Sequence, residues 1–237
     1  MIVYSTIQFG LQSGHLILLY LYFLFILPTV VFMSETLDNF NNKDDSVKIK
    51  KMVLAALFAA LIAVGAYIKI PIGPIPITLQ TFFVLLAAVT LGRNWGTVSV
   101  IVYLLVGFIG FPVFAGGNSG LGILFGPSGG YLYSFIIVAF LCGWLSDIFW
   151  KKARSKSAEN ISKKSANDSI IMFGIAVLGS IIILGVGTVH FAFSGSIPIG
   201  TAFLSGFVPF FAGDMIKSIA IGVVSPSIIK KVNFKNF

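Results

Sequence analysis

Apolar runs of 18 or more residues recur along this chain, each long enough to cross a hydrocarbon core about 30 Å thick as a helix. Lipid offers no partner to a backbone N–H or C=O, so a span must close its hydrogen bonds within itself, and helices are expected. Composition points the same way: 57% of residues are hydrophobic, 10% are charged and the mean hydropathy is +0.99. A water-soluble fold with that composition would expose far more apolar surface than soluble proteins tolerate. The chain therefore reads as an all-α integral membrane protein, with the lipid bilayer as its first partner.

Setting apolar runs against Pro and Gly breakers predicts six transmembrane helices, near 52–70, 77–92, 95–111, 121–149, 169–193 and 200–227. The connections at 71–76 (PIGPIP) and 112–120 (PVFAGGNSG) are rich in Pro and Gly, whereas the connection at 150–168 is polar and basic. Cytoplasmic loops collect Lys and Arg. Lys43, Lys48, Lys50 and Lys51 precede the first helix, Arg93 lies between the second and third, and Lys151, Lys152, Arg154, Lys156, Lys163 and Lys164 separate the fourth from the fifth. With Lys230, Lys231 and Lys235, these make 14 of the 16 basic residues on one side. A multi-pass protein of the cell membrane is expected, with both ends of its six-helix unit, 50–230, in the cytoplasm. Only Lys69 and Lys217 are left over, and the net charge of +8 reads as orientation rather than as affinity for nucleic acid.

Residues 1–49 stand apart as an N-terminal extension. The stretch 16–33 (LILLYLYFLFILPTVVFM) is long enough to span, and Pro28 would kink such a helix. No Lys or Arg precedes it and no small-residue cleavage pattern follows, which disfavours a secretory signal peptide. Two readings stay open: an extra transmembrane helix, or upstream sequence ahead of a start at Met33. Cys142 is the single cysteine, so no intrachain disulfide or thiolate metal cluster can form.

An ion within the membrane is costly enough to mark a functional site, and Asp214 and Lys217 in PFFAGDMIKSIA share one helix face at i, i+3. A carboxylate accepts hydrogen bonds and an ammonium donates them, so the pair suits a polar ligand offering both kinds of group; the plainer reading is a self-neutralising salt bridge between helices. The segment 111–132 packs seven glycines around Asn118 and Ser128 on the side away from the basic loops. Glycines there allow tight turns over a ligand, and Ser128 can cap the following helix. In TLQTFFVLL, Thr78, Gln80 and Thr81 bring polar groups to the same level. Tyr103, Tyr131, Tyr133 and Trp144 are candidates to wall an apolar pocket, although aromatics also gather at membrane interfaces as a matter of course.

Ala55, Ala59 and Ala63 form a small-residue stripe on the first helix, with Ala56 and Ala60 on its neighbour, which permits close docking to another membrane helix in this chain or a partner. The sequence contains no GxxxxGK[ST] phosphate loop, so active uptake would need a partner ATPase. His15 and His190 are far apart and no HExxH or carboxylate cluster is present, so neither a metal nor another cofactor is expected. His190 reads as a packed polar side chain.

TLQTFFVLL, GFIGFPVFAGG, GPSGGYL and PFFAGDMIK together resemble the BioY family, the biotin-binding S component of energy-coupling factor (ECF) transporters. The resemblance spans roughly 50–227. It implies a six-helix S-component fold that captures biotin from outside and docks, through its first helix, on a transmembrane coupling protein carrying two ATPase subunits. It further implies that Asp214 and Lys217 hold the ureido head, that Asn118 is a further contact, and that Thr78, Gln80 and Tyr131 are additional site residues. Ser128 stands where the family commonly has threonine, and the N-terminal extension is the larger departure. Three other readings remain: an S component for another vitamin, an intramembrane enzyme using Asp214 as acid or base, and a solitary channel. The second lacks a further catalytic group and the third lacks a ring of like charges.

Overall fold

A computed structural model of the protein describes residues 43–71, 75–155 and 161–231. The candidate span at 16–33 lies outside the described residues. The chain parts into two units after Lys50, and the architecture below is that of the second, which begins at Lys51.

Helix α1 (Lys43–Tyr67) leads into a short antiparallel hairpin of β1 (Lys69–Ile70) and β2 (Ile77–Thr78), in which Lys69 faces Thr78 and Ile70 faces Ile77. Then come α2 (Gln80–Phe108), a 3-10 turn at Leu121–Phe125, α3 (Gly129–Ser155), α4 (Ile161–Gly195), α5 (Ile199–Gly206) and α6 (Val208–Lys231). Among the described residues, five stretches are long and apolar enough to cross a membrane: Val47–Tyr67, Gln80–Phe108, Gly129–Lys151, Asn167–Gly195 and Ile199–Ile229.

The count of five against the expected six is resolved inside α2. A straight helix would hold Gln80 and Tyr103 about 35 Å apart at about 1.5 Å per residue, yet the Gln80 amide donates to the Tyr103 hydroxyl. The chain doubles back at Gly92, whose φ of 76° and ψ of −174° are open to glycine and strained for other residues. A methyl built on Gly96 would lie 2.9 Å from Cα of Ala88, so the two limbs meet backbone to backbone across small residues. These limbs, 80–91 and 93–108, correspond to the expected helices at 77–92 and 95–111. Helix α3 clamps the turn from outside: a methyl on Gly143 would lie 2.7 Å from the Arg93 nitrogen, and one turn later the Asp147 carboxylate accepts the Arg93 N–H at 2.9 Å.

One boundary is corrected. The fourth helix was expected from 121, but 121–128 contributes only the 3-10 turn and α3 begins at Gly129. Glycines at 116, 117 and 120, inside the connection expected at 112–120, hold positive φ, and the loop they shape runs on through the 3-10 turn as far as Gly129. The polar connection at 150–168 goes the other way, being largely absorbed into the ends of α3 and α4.

The packing is that of a protein whose solvent is lipid. Side chains such as Phe193, Leu204, Ile216 and Val223 stand exposed on α4, α5 and α6, while Ser99, Ser134, Ser146, Thr188 and Ser218 are buried. Several of these hydroxyls bond to helix carbonyls, as Ser134 does to Tyr131 at 2.6 Å and Ser146 to Val89 at 2.6 Å, so that few polar groups inside the bundle are left unsatisfied. On α1, Ala55 and Ala59 are buried and Ala63 is half-buried, whereas Ala56 and Ala60 are exposed. The stripe expected to face a partner is thus turned largely inward, and the neighbouring stripe is the one left open.

Candidate functional site

The β hairpin, the start of α2, the glycine-rich loop, the start of α3 and the middle of α6 converge on one cavity at the end of the bundle away from Arg93 and Asp147. It encloses about 620 Å³ of space, its mouth included. The residues expected to bind the ligand, Thr78, Gln80, Asn118, Tyr131, Asp214 and Lys217, all line it, whereas Tyr103, expected as part of the wall, stands behind Gln80. Residues from positions 78 to 217 meet there because the fold-back at Gly92 returns the chain to the level of Gln80, and α6 then packs beside the first limb of α2.

Asp214 is 2% exposed. Its Oδ1 receives the Lys217 ammonium at 2.7 Å and the Thr81 hydroxyl at 3.1 Å. Lys217 also donates to Oγ1 of Thr81 and to the backbone carbonyl of Thr78, each at 2.8 Å. The three ammonium hydrogens are therefore matched to three acceptors. All the bonds found for the carboxylate fall on Oδ1, which leaves Oδ2 able to accept from a ligand. The expected division of labour, a carboxylate for donors and an ammonium for an oxygen, is altered: within this structure Lys217 is committed to holding Asp214 and the start of α2 in place.

The other polar groups are similarly engaged. The Thr78 hydroxyl donates to Gln80 Oε1 at 3.0 Å, Gln80 donates to Tyr103, and Tyr103 donates to the Val113 carbonyl at 3.3 Å. This relay ties the hairpin to the loop, and it makes Gln80 and Thr78 positioning residues as well as lining ones. Asn118 gives one amide hydrogen to the Ala115 carbonyl at 2.8 Å and keeps its other groups available. Tyr131 rests on α4, where only glycine fits: a methyl on Gly187 would lie 2.3 Å from its ring. Its hydroxyl donates to the Gly206 carbonyl at 2.8 Å, at the C-terminal end of α5, where helix carbonyls lack partners of their own.

Tyr131→Phe would strip the donor from that buried carbonyl and is expected to lower stability by about 1–3 kcal/mol, read as a reduced melting temperature by circular dichroism in detergent. An unchanged melting temperature would show that Gly206 had found another donor.

The remaining wall is apolar. Ile75, Phe114, Ile123, Leu132, Phe135 and Phe210 surround the polar end, with Phe114 packed edge-on to Tyr103 at 5.6 Å and Phe210 stacked on Tyr131 at 6.2 Å. Sequence reasoning did not single these out, because nothing separates them from the other phenylalanines of a chain holding 24. Thr81, named with Thr78 and Gln80 from their shared place at the start of the second expected helix, lines the cavity too. Tyr133 and Trp144 face outward and do not line the cavity. Ser128 lines it and sits immediately before α3. His190 is packed, as expected, with its ring edge-on to Tyr133 at 5.7 Å and Nε2 at 3.1 Å from the Gly126 carbonyl.

A bundle of lipid-facing helices enclosing an apolar chamber with one buried ion pair defines a class: membrane-embedded binding proteins for a small molecule with a polar head and an apolar body. Comparison with known proteins narrows the class. The sequence pattern of the BioY family matches residues 38–234, and this chain belongs to that family. It is 40% identical to the biotin transporter BioY of Thermotoga maritima over 176 residues, 74% of this chain and 94% of that one. It is 35% identical to biotin transporter BioY2 of Lactococcus lactis, over 81% of this chain and 96% of the relative. A crystal structure of the S-component for biotin from an ECF-type ABC transporter superposes with a TM-score of 0.64 at 33% identity, covering 80% of this chain and 94% of that one.

Proposed function

We propose that this protein captures biotin for uptake as the S component of an ECF-type transporter. The observation that carries this reading is the composition of the cavity: a buried carboxylate with one oxygen unengaged, fixed by Lys217 and Thr81, at the polar end of an aromatic and aliphatic chamber. Biotin matches it group by group. Its ureido ring offers two N–H donors to Asp214, its thiophane ring and chain are apolar, and Asn118 stands at the loop with amide groups to spare. In this reading the glycine-rich end faces outside and the ends of the six-span unit face the cytoplasm, in keeping with the basic residues gathered at the opposite end. Because the chain carries no phosphate loop of its own, transport depends on a membrane coupling protein and two ATPase subunits. The exposed Ala56 and Ala60 of α1 offer these partners a face of close approach.

Calorimetric titration of the detergent-purified protein tests the ligand directly, with thiamin and riboflavin alongside. Saturable binding of biotin alone is the expected result. Folded protein that gives heat with thiamin or riboflavin and none with biotin would overturn the assignment and leave an S component for another vitamin.

A further inference from the structure

The cavity as described has no cation to spare. Among the described residues, Lys217 is the only basic one lining it, and its three donors are matched to Asp214, Thr81 and the Thr78 carbonyl. An anionic group entering the chamber would meet an ion pair of no net charge whose ammonium is fully engaged. Biotin carries a carboxylate at the end of its chain, and a carboxylate drawn out of water into an apolar chamber without a counter-charge is costly.

One described basic side chain stands at the same end of the bundle. Lys69 is exposed and lies directly across the hairpin from Thr78, and its side chain has no hydrogen bond or ion pair among the described residues. Its ammonium is not turned away into solvent. A methyl group built on Gly116 would sit 3.1 Å from Nζ of Lys69 and 3.5 Å from Nδ2 of Asn118. Two nitrogen donors therefore converge on the place that a side chain at 116 would occupy, and Gly116, at φ +82°, leaves that place empty. Asn118 spends only one of its amide hydrogens on Ala115. A carboxylate oxygen in that corner would receive one charged and one neutral hydrogen bond. Lys51 and Arg93 belong to the opposite end, beside Asp147.

We propose that Lys69 and Asn118, across the corner left by Gly116, recognise the ligand's carboxylate at the cavity mouth and so make the protein selective for the free acid. This rests on the biotin reading above and adds an orientation to it: ring head down at Asp214, acid end up at the loop. Lys69 is then a specificity residue, separable from the residues that hold the head.

The test compares biotin with biotin methyl ester, identical in head and chain but uncharged at the acid end, on wild-type protein and on Lys69→Gln and Lys69→Arg. Wild-type protein should favour the acid over the ester. Lys69→Gln should weaken biotin about 10-fold, the worth of one charge-assisted hydrogen bond of about 1.4 kcal/mol, while leaving the ester within about 2-fold of wild type. Lys69→Arg should retain most of the preference. Raising the salt concentration should narrow the wild-type difference between acid and ester, as an interfacial charge contact requires. Equal loss for acid and ester in Lys69→Gln would mean the residue only shapes the hairpin, and unchanged affinity for both would place the carboxylate elsewhere. Either result overturns the proposal while leaving biotin as the ligand. Failure of wild-type protein to bind either compound would instead remove the biotin reading itself and this proposal with it.

Discussion

Asp214→Asn should weaken biotin binding at least about 100-fold, and Lys217→Ala by a similar amount, because truncating one partner of a buried charge pair costs about 2–5 kcal/mol. The two losses arise differently. Asparagine keeps the shape of the carboxylate but replaces an acceptor oxygen by a donor, so it opposes the ureido N–H groups while leaving Lys217 as an uncompensated buried cation. Alanine at 217 leaves Asp214 held by Thr81 alone and frees the Thr78 carbonyl. Both variants are also expected to melt earlier than wild type. The double variant Asp214→Asn/Lys217→Met separates stability from recognition, because a neutral pair of similar volume carries no buried charge. Its melting temperature should recover toward wild type while its biotin affinity stays low. Recovery of both would mean that the ion pair only cements α6 to the start of α2, and that recognition lies in the surrounding wall.

Gly92→Val should have the largest effect on folding. At φ 76°, ψ −174° the backbone sits in a region essentially reserved for glycine, where another residue costs about 1–3 kcal/mol. A Cβ there would also lie 2.2 Å from Oδ1 of Asp147, and crowding of that kind adds about 1–3 kcal/mol. Size-exclusion chromatography and thermal melting in detergent should show little monodisperse protein. Gly92→Ala should be milder. Asp147→Ala in the Gly92→Ala background should restore part of the stability, by removing the clash but not the backbone strain. Asp147→Ala by itself loses the acceptor for the Arg93 N–H, at about 1 kcal/mol for a helix cap. Whatever fraction of these variants folds should bind biotin as wild type does, since the turn lies at the far end of the bundle from the cavity. Weakened binding in that fraction would show that the turn sets the spacing of the two limbs at the site.

The span plan was legible because the physics behind it is one-dimensional. Apolar runs long enough for a bilayer, punctuated by Pro and Gly and sorted by Lys and Arg, need no tertiary information, and the expected limbs on either side of Gly92 are present. The end of the third expected helix and the start of the fourth were less legible. The apolar run LGILF at 121–125 suits a membrane helix as well as a folded loop, and only the structure shows it as a 3-10 turn ahead of a helix that begins at Gly129.

The site was readable to the same degree. Asp214 and Lys217 stand out in any apolar sequence because lipid makes charge conspicuous, and Asn118, Gln80 and Thr78 follow from polar groups at one membrane level. Sequence by itself determined that this is a lipid-embedded helical protein with a buried ion pair and a glycine-rich cover, since each of those depends on residue type and spacing along the chain. Tertiary structure alone decided that the pair's ammonium is already spent, that Phe114 and Phe210 form the wall, that Ala55 and Ala59 turn inward, and that Lys69 reaches the loop at Gly116. Those facts depend on which atoms meet between residues far apart in sequence, as Lys217 and the Thr78 carbonyl do, or on which way a helix is rotated about its axis, and neither is written in residue type and spacing.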